Sequence, residues 1–410
     1  MSEPIVNRQG LNFDPMYVVA GALRRREISS VELVEAALAQ VDLLGERLNP
    51  FITLTTEQAL AEARQRDDEL RTGTDRGPLH GIPIVLKDLF DTAGSSSGTA
   101  AAIASGMAWC GPGSDTGGSI RMPSAACGLV GLKPTYGRVS LRGVLPLAAS
   151  LDHVGPMART VRDAALLMRV LAWFDPADPH SRDAPVPEYA ATLEDGVAGL
   201  RIAAFSDDGN EAVAPDILDG FRAGLRTLEA AGAHVEDVDL SFMRELADDG
   251  AQYFAEVYDH YGALLDQRAD LLSPYVRDVL ERGREVTGAE VMAERRARDA
   301  NLHRVERALA GYDLAVSPTL ALHPPPAGEI CLPLIRFTSI WDKNGWPAIT
   351  VPSGISPLNG LPIGFQIIAR PWQEALVLRA ARVVEVGLSS NLVISDGAMK
   401  RGDGGRTGGG

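Results

Sequence analysis

Apolar residues recur every three or four positions through the first part of the chain, which is the spacing of one buried helix face. The pattern predicts helices at 16–25, 31–45 and 56–71, and Ser29 or Ser30 can cap the second of them. The same spacing returns in four later segments, at 160–173, 242–265, 290–309 and 374–386. Each of these helices needs a core surface against which its apolar side can pack.

Short apolar runs bounded by glycine and proline predict strands between the helices. These runs lie at 82–86, 200–205, 234–238, 314–317, 348–351 and 363–368. Between 200 and 238 the order is strand, helix, strand, which is the order of a parallel βαβ unit. We therefore predict an α/β fold.

Composition narrows the class of protein. Of the 410 residues, 45% are apolar and 23% are charged, as in an ordinary globular protein. The net charge of −15 argues against direct binding to nucleic acid or to an anionic membrane. Three cysteines without motif spacing, and no signal-peptide pattern or apolar run of membrane-spanning length, lead us to expect a cytoplasmic protein. The histidines are scattered, so we expect no metal and no cofactor.

Candidate chemistry is concentrated at 113–124, where Gly117 and Gly118 lead directly into Ser119. Glycines let the backbone approach a ligand closely, and the amides that open the following segment (120–127) can stabilise a developing negative charge. A serine hydroxyl beside such amides has the surroundings of an acyl-transfer nucleophile. The spacing of a phosphate-binding loop is absent. Local chemistry alone leaves a plain structural turn as an equal alternative.

Two further positions have competing interpretations. Lys87 ends the apolar run 82–86 and is either a solvated strand end or, if it is buried, a base whose ammonium form is disfavoured. Asp152 and His153 offer partners for a Ser-His-Asp triad, although Ser119 does not stand in a G-x-S-x-G elbow.

The run GSDTGGSIRMPSAACGLVGLKPTYGRVS at 113–140 resembles the signature of the amidase signature family, the Ser–cis-Ser–Lys hydrolases. The resemblance extends over about residues 15–385. It implies that Ser119 is the nucleophile. It also implies that Ser95, in GSSSGTAA, is the second serine, which has a cis peptide in this family. Lys87, in GIPIVLKD, matches the family lysine.

The resemblance implies a fold and a mechanism as well. The expected fold is a mixed, mostly parallel central sheet flanked by helices on both faces. In the expected mechanism, neutral Lys87 receives a proton that Ser95 relays from Ser119. Ser119 attacks a carboxylic amide and forms an acyl-enzyme, which water cleaves to the acid after ammonia or an amine has left.

Backbone amides around the nucleophile are expected to form the oxyanion hole. They belong to Thr116, Gly117, Gly118 and Ser119 itself. Ser114, Asp115 and Arg121 are expected to support this loop. An exposed Asp115–Arg121 ion pair without such a role is an equal alternative.

The family domain is predicted to occupy residues 1–388. Within it we distinguish N-terminal helices at 15–73, a catalytic core at 78–175 and a C-terminal part at 199–388. The glycine-rich tail at 389–410 is predicted to be disordered.

At one place the chain departs from the family. Family members carry several tens of residues, including a strand and a helix, between D-T-A-G and the serine run, whereas here Gly94 is followed directly by Ser95. Only eight positions separate Lys87 from Ser95, a distance that a loop can still close. Loss of the segment predicts uncovered apolar side chains around 84–86 and 100–103, and hence a poorly soluble or oligomeric chain.

Three functions are compatible with these observations. The first is an amidase acting on a small-molecule amide, as a monomer or homo-oligomer. The second is the amidase (A) subunit of a glutamyl-tRNA(Gln) or aspartyl-tRNA(Asn) amidotransferase, in which partner subunits contact the tRNA. The third is a binding or scaffold homologue whose catalysis is impaired by the missing segment. Hydrolysis of simple amides by the purified chain alone discriminates between them.

Overall fold

The computed structural model describes residues 7, 10–87, 96–209, 212–246, 250–326 and 332–389. Ser95 and residues 390–410 of the predicted tail lie outside these ranges, and so does the peptide bond that precedes Ser95. Within the described ranges, none of the helices is both long enough and apolar enough to cross a membrane.

The N-terminal part of the chain forms three helices: α1 (Met16–Arg24), α2 (Ser30–Leu48) and α3 (Thr56–Arg71). The Ser29 side chain accepts a hydrogen bond from the backbone N–H of Glu32, and the Glu32 carboxylate accepts one from the N–H of Ser29. This reciprocal capping fixes where α2 begins. The bounds of α1, α2 and α3 confirm the three helices predicted from apolar periodicity.

Eight strands form one mixed sheet in the order β1-β3-β2-β7-β8-β6-β4-β5. Their bounds are β1 (Cys110–Asp115), β2 (Val130–Lys133), β3 (His153–Ala158), β4 (Arg201–Ala204), β5 (His234–Asp237), β6 (Leu314–Pro318), β7 (Ala348–Ile355) and β8 (Pro362–Ile368). Strands β4 and β5 are parallel and are connected through α7 (Pro215–Ala230), which confirms the predicted βαβ unit.

Strand direction differs from the expectation in one respect. The sheet is mixed, but among the described strands only the β4–β5 and β4–β6 pairs are parallel, and the other five pairs are antiparallel. The short connection between β7 and β8 explains part of this balance, because a hairpin joins strands only in antiparallel fashion. The expectation of a mostly parallel sheet is therefore wrong.

Helices cover both faces of the sheet, as predicted. Those not yet introduced are α4 (Ser97–Ala104), α5 (Arg121–Ala126), α6 (Val161–Leu171), α8 (Ala251–Gln267), α9 (Pro274–Glu285), α10 (Gly288–Ala308), α11 (Ser339–Asn344) and α12 (Glu374–Leu388). Alternate residues of the neighbouring strands β7 and β8 belong to two different apolar clusters: Ile349 and Ile367 to one, Ala348 and Ile368 to the other. The first cluster is covered by α7 and α12, the second by α10 and α11.

Residues 82–86 do not form the predicted buried strand. They make one isolated parallel bridge, between Ile84 and Cys110 of β1. Val85 is buried, whereas Ile84 is 44% exposed and Leu86 is 67% exposed. An apolar run was expected to be buried on both sides, but here only Ile82 and Val85 belong to the buried core.

The exposure predicted around 100–103 is wrong. Ala100, Ala102 and Ile103 of α4 are fully buried, because α4 packs on β1 and β3. Of the two regions predicted to be uncovered, 84–86 and 100–103, only the first has exposed apolar side chains, those of Ile84 and Leu86.

Candidate functional site

The turn that contains Ser119 connects β1 to α5. Strand β1 is antiparallel to β3, with Ser114 opposite Val154 and Asp115 opposite His153. The chain then turns through 116–120, and Ser119 is half-buried at the start of the following helix.

The two glycines of this turn have different surroundings. Gly118 has a φ of +129°, and a Cβ at this position would lie 2.3 Å from Thr338 Oγ1. Its backbone conformation and its surroundings both require glycine. A Cβ on Gly117 would meet no atom within 4 Å, so the turn faces open space there. The Thr338 hydroxyl donates to the carbonyl of Gly117 at 2.6 Å, so a residue distant in sequence holds the turn in place.

Asp115 shapes the turn from within. Its Oδ1 accepts a hydrogen bond from the N–H of Gly118 at 2.6 Å, and its Oδ2 accepts from the N–H of Ile120 at 3.1 Å. The N–H of Gly118 is thus committed to the turn, in contrast to its expected place in an oxyanion hole. The amides of Thr116, Gly117 and Ser119 keep that expected role as a prediction.

Arg121 is fully buried beneath the turn, and all five of its N–H groups are used. Two bonds, of 3.0 and 2.9 Å, go to the two oxygens of Asp115, and one of 2.6 Å goes to Asp342. The other two reach the carbonyl of Thr338 and the side chain of Gln366, at 3.0 and 2.9 Å. The alternative of an exposed Asp115–Arg121 ion pair is therefore wrong.

The charges in this cluster are arranged asymmetrically. Burial opposes ionisation of Asp115, but the charge and hydrogen bonds of Arg121 outweigh it and hold its pKa well below the usual range. Burial and the neighbouring Asp115 charge raise the pKa of Asp342 well above its usual value. Arg121 therefore pairs mainly with an ionised Asp115 under the Ser119 turn.

Lys87 reaches the end of β1 from the side. Its Nζ donates to Ser114 Oγ at 2.7 Å, five residues before Ser119. Burial lowers the pKa of Lys87 to about 8, although the charges of Asp115 and Asp152 oppose that shift. The side chain is thus a partly buried base, and the interpretation of Lys87 as a solvated strand end is wrong.

Ser96 connects the second serine run to the nucleophile turn. Its N–H donates to the carbonyl of Ser119 at 2.9 Å, and its hydroxyl lies 3.3 Å from both the N and the O of Ser114. Ser95 lies outside the described residues, but the residue that follows it in sequence contacts both Ser119 and Ser114.

Asp152 and His153 do not form a triad with Ser119. Nδ1 of His153 lies 2.6 Å from the carbonyl of Leu151, and its Nε2 has no hydrogen-bond partner within the described part of the chain. Asp152 instead accepts a hydrogen bond from Thr116 Oγ1 at 2.6 Å. The geometry therefore excludes the Ser-His-Asp alternative.

Sequence reasoning missed several contributors to the site. Thr338, Asp342 and Gln366 all contact the turn or Arg121 from more than 200 residues away. A weak signal existed for Gln366, the single polar side chain in the apolar strand run 363–368. No group of three or more His, Cys, Asp or Glu side chains suited to a metal ion occurs in the described ranges.

Comparison with known proteins identifies the family. The Amidase family profile matches residues 32–94 and 91–378. An amidase from Pseudomonas putida is 31% identical, over 90% of this chain and 94% of its own. The A-subunit of a glutamyl-tRNA(Gln) amidotransferase from Rubrobacter xylanophilus is also 31% identical, over 90% and 96%. A solved structure described as an amidase has a TM-score of 0.78 at 27% identity, over 91% and 99%. The chain belongs to the amidase signature family, hydrolases that act on amide C–N bonds.

The same comparisons locate a gap in this chain. The alignment with the Pseudomonas putida amidase runs over 442 residues, which is more than the 410 that this chain contains. The family profile matches in two pieces that meet at residues 91–94. Relatives therefore carry an internal segment that is absent here, at the place where the sequence departs from the family.

Proposed function

We propose that this protein hydrolyses a carboxylic amide to a carboxylate and ammonia or an amine, with Ser119 as nucleophile. The observation that carries the proposal is the contact of Lys87 Nζ with Ser114 Oγ at 2.7 Å. It brings a base with a pKa of about 8 to the strand that leads into the Ser119 turn. A base titrating near neutral pH is suited to proton transfer in both directions.

In the first half of the reaction, Ser119 Oγ forms a bond to the carbonyl carbon. The hydroxyl proton of Ser119 passes to Ser95, whose own proton passes to the neutral amine of Lys87. The negative charge that develops on the carbonyl oxygen is stabilised by the N–H groups of Thr116, Gly117 and Ser119. The open space beside Gly117 supports this placement of the carbonyl group.

In the second half, the C–N bond breaks and the proton held by Lys87 returns through Ser95 to the leaving nitrogen. Water then attacks the carbonyl carbon of the ester formed with Ser119 while the same relay takes up its proton. The bond between that carbon and Ser119 Oγ breaks, the carboxylic acid leaves, and the relay returns the proton to Ser119. The roles of Ser95 and of the oxyanion amides rest on the family resemblance. The contact of Ser96 with Ser119 brings the described end of the serine run to the nucleophile turn.

Service as one component of an amidotransferase is a second candidate function. It is favoured by the amidotransferase relative, whose identity of 31% equals that of the amidase. Such a component would release ammonia from glutamine for a partner. The net charge of −15 is compatible with this function, because a partner protein can contact the tRNA.

The test is a measurement of ammonia or amine release by the purified chain, with primary amides, anilides and glutamine as substrates. The amidase proposal predicts turnover of at least one simple amide by the chain alone. Turnover of glutamine only after addition of the other amidotransferase subunits would support the second candidate. Absence of turnover in both settings would leave the impaired binding homologue and contradict the proposal.

A further inference from the structure

Asp152 makes contacts at the site that the proposed mechanism does not use. Its side chain is buried, with 5% of the residue exposed. Oδ1 accepts a hydrogen bond from Thr116 Oγ1 at 2.6 Å, and Oδ2 accepts from the N–H of Leu147 at 2.8 Å and of Ala148 at 3.0 Å. All three partners donate, which is the pattern of an ionised carboxylate.

The register of β1 and β3 places this carboxylate on the same side of the strands as Lys87. Ser114 lies opposite Val154, so the extended chain brings Thr116 and Asp152 opposite each other just beyond the paired segment. Side chains two residues apart share one face of a strand. Ser114, which holds Lys87, and Thr116, which holds Asp152, therefore share a face, while the intervening Asp115 binds Arg121.

We infer that Asp152 is a positioning residue of this site, which holds Thr116 at the head of the turn and stabilises the charged form of Lys87. The inference rests on the proposed function for its catalytic meaning, but both contacts are properties of the chain itself. The proposed mechanism gives Asp152 no direct contact with the substrate. It acts through Thr116 and through the field at Lys87.

The charged groups around Lys87 and Asp152 determine how far Asp152 can alter the protonation of Lys87. Lys87 is influenced by Asp115 from β1 and by Asp152 from the segment that precedes β3. Burial raises the pKa of Asp152 above its usual value, and the charge of Glu256 adds to that shift, whereas the hydrogen bonds from Thr116, Leu147 and Ala148 oppose it. Three phenol groups also lie within reach of the Asp152 charge. The phenols belong to Tyr136, Tyr253 and Tyr261. Removal of the Asp152 charge leaves burial and Asp115 to set the protonation of Lys87.

The test compares Asp152→Asn with the parent. Asparagine keeps the volume, its oxygen can accept both backbone N–H groups, and its amide can donate to Thr116 Oγ1. The fold is thus retained while the charge is lost. We expect the reactivity of the Lys87 amine toward an acylating reagent, mapped by mass spectrometry across pH, to shift to lower pH by about 0.5–1 unit. The limb of kcat/KM that rises with pH should shift with it.

Asp216→Asn is the matched control, because Asp216 is also a buried, hydrogen-bonded carboxylate. Its two side-chain hydrogen bonds, from His323 and Ser356, fall on one oxygen, which the oxygen of an asparagine can replace. This change should leave the Lys87 titration in place. Thr116→Val removes the other contact and should lower kcat about tenfold or more with little change in KM.

An unmoved Lys87 titration in folded Asp152→Asn would overturn the inference, and so would an unchanged kcat in Thr116→Val. The labelling does not require turnover. If the parent hydrolyses no amide, the proposed function fails, but the shift of the Lys87 titration still decides whether Asp152 stabilises the ammonium.

Discussion

The two halves of the candidate site are built very differently. On the Ser119 side, the turn is held by Asp115, Arg121 and Thr338, with every N–H of a fully buried guanidinium in use. On the Lys87 side, residues 82–86 contact β1 through one isolated bridge, and Ile84 and Leu86 are exposed. The difference coincides with the gap in the chain, which adjoins the Lys87 side.

The two sides therefore differ in how firmly the structure fixes their catalytic groups. Hydrogen bonds from two distant segments fix the nucleophile turn before any substrate binds, as electrostatic catalysis requires. The base is held by its contact with Ser114 and by burial, while the surface on its outer side is uncovered. We therefore expect changes on the Ser119 side to have large effects, and changes on the Lys87 side to have graded ones.

The largest effect is expected for Ser119→Ala. Loss of a nucleophile lowers kcat on the order of 10³–10⁶-fold in hydrolases. Removal of one hydroxyl from a half-buried turn should leave the melting temperature nearly unchanged. Steady-state kinetics on the pure variant and a thermal melt test both parts. Turnover comparable to that of the parent would remove Ser119 from the mechanism.

Arg121→Met should destabilise the fold by about 3–5 kcal/mol, because it leaves Asp115 buried without its counter-charge. The control is Arg142→Met, which breaks a pair with Asp175 in which the arginine side chain is 60% exposed, so its loss should cost much less. Chemical denaturation of both variants measures the difference. Equal free energies of unfolding would contradict the structural role given to Arg121.

Lys87 should impose a pH dependence on kcat/KM. The amine must be neutral to accept a proton, so the rate should rise with pH through an apparent pKa of about 8. Lys87→Ala should lose about 10²–10⁴-fold in rate together with that limb. A pH–rate profile on each protein tests this, and a limb that persists in Lys87→Ala would assign it to another group.

The smallest effect is expected at the uncovered surface. The double change Ile84→Thr and Leu86→Thr should reduce self-association at high concentration, because it removes adjacent exposed apolar side chains. Leu358→Thr, at a residue that is 77% exposed elsewhere, is the control. Light scattering compares the three proteins. A parent that stays monomeric at the same concentration would show that this surface does not drive self-association. The chain would then tolerate the loss of the relatives' segment after Gly94.

Insertion of a relative's segment between Gly94 and Ser95 addresses the same surface from the opposite direction. The segment should cover Ile84 and Leu86, exclude water from the surroundings of Lys87, and so raise both solubility and rate. An insertion variant no more active or soluble than the parent would show that the gap is not what limits this chain.

Local patterns predicted most of the elements well. Apolar periodicity and the Ser29 cap located α2, and the glycine pair before Ser119 located the turn. Periodicity failed at 82–86, where an apolar run does not reveal how many of its faces are covered. It also gave no prediction for α9, whose residues pack on α8 in a small separate cluster.

The supports of the site could not be predicted in the same way. Thr338 and Asp342 meet Arg121 only because β7, β8 and α11 bring the far end of the chain back to α5. Such contacts depend on strand order, which local sequence does not encode. The role of Asp152 was hidden for a related reason, since its partner Thr116 is defined by the β1–β3 register.

The central claim is that Ser119 is a nucleophile activated from the Lys87 side. The most direct test is labelling with a serine-directed fluorophosphonate, followed by mass-spectrometric mapping of the modified residue. The account predicts one modified residue, Ser119, with labelling that accelerates as pH rises through about 8 in the parent and becomes slow in Lys87→Ala. Modification of a different serine, or no labelling at any pH, would contradict it.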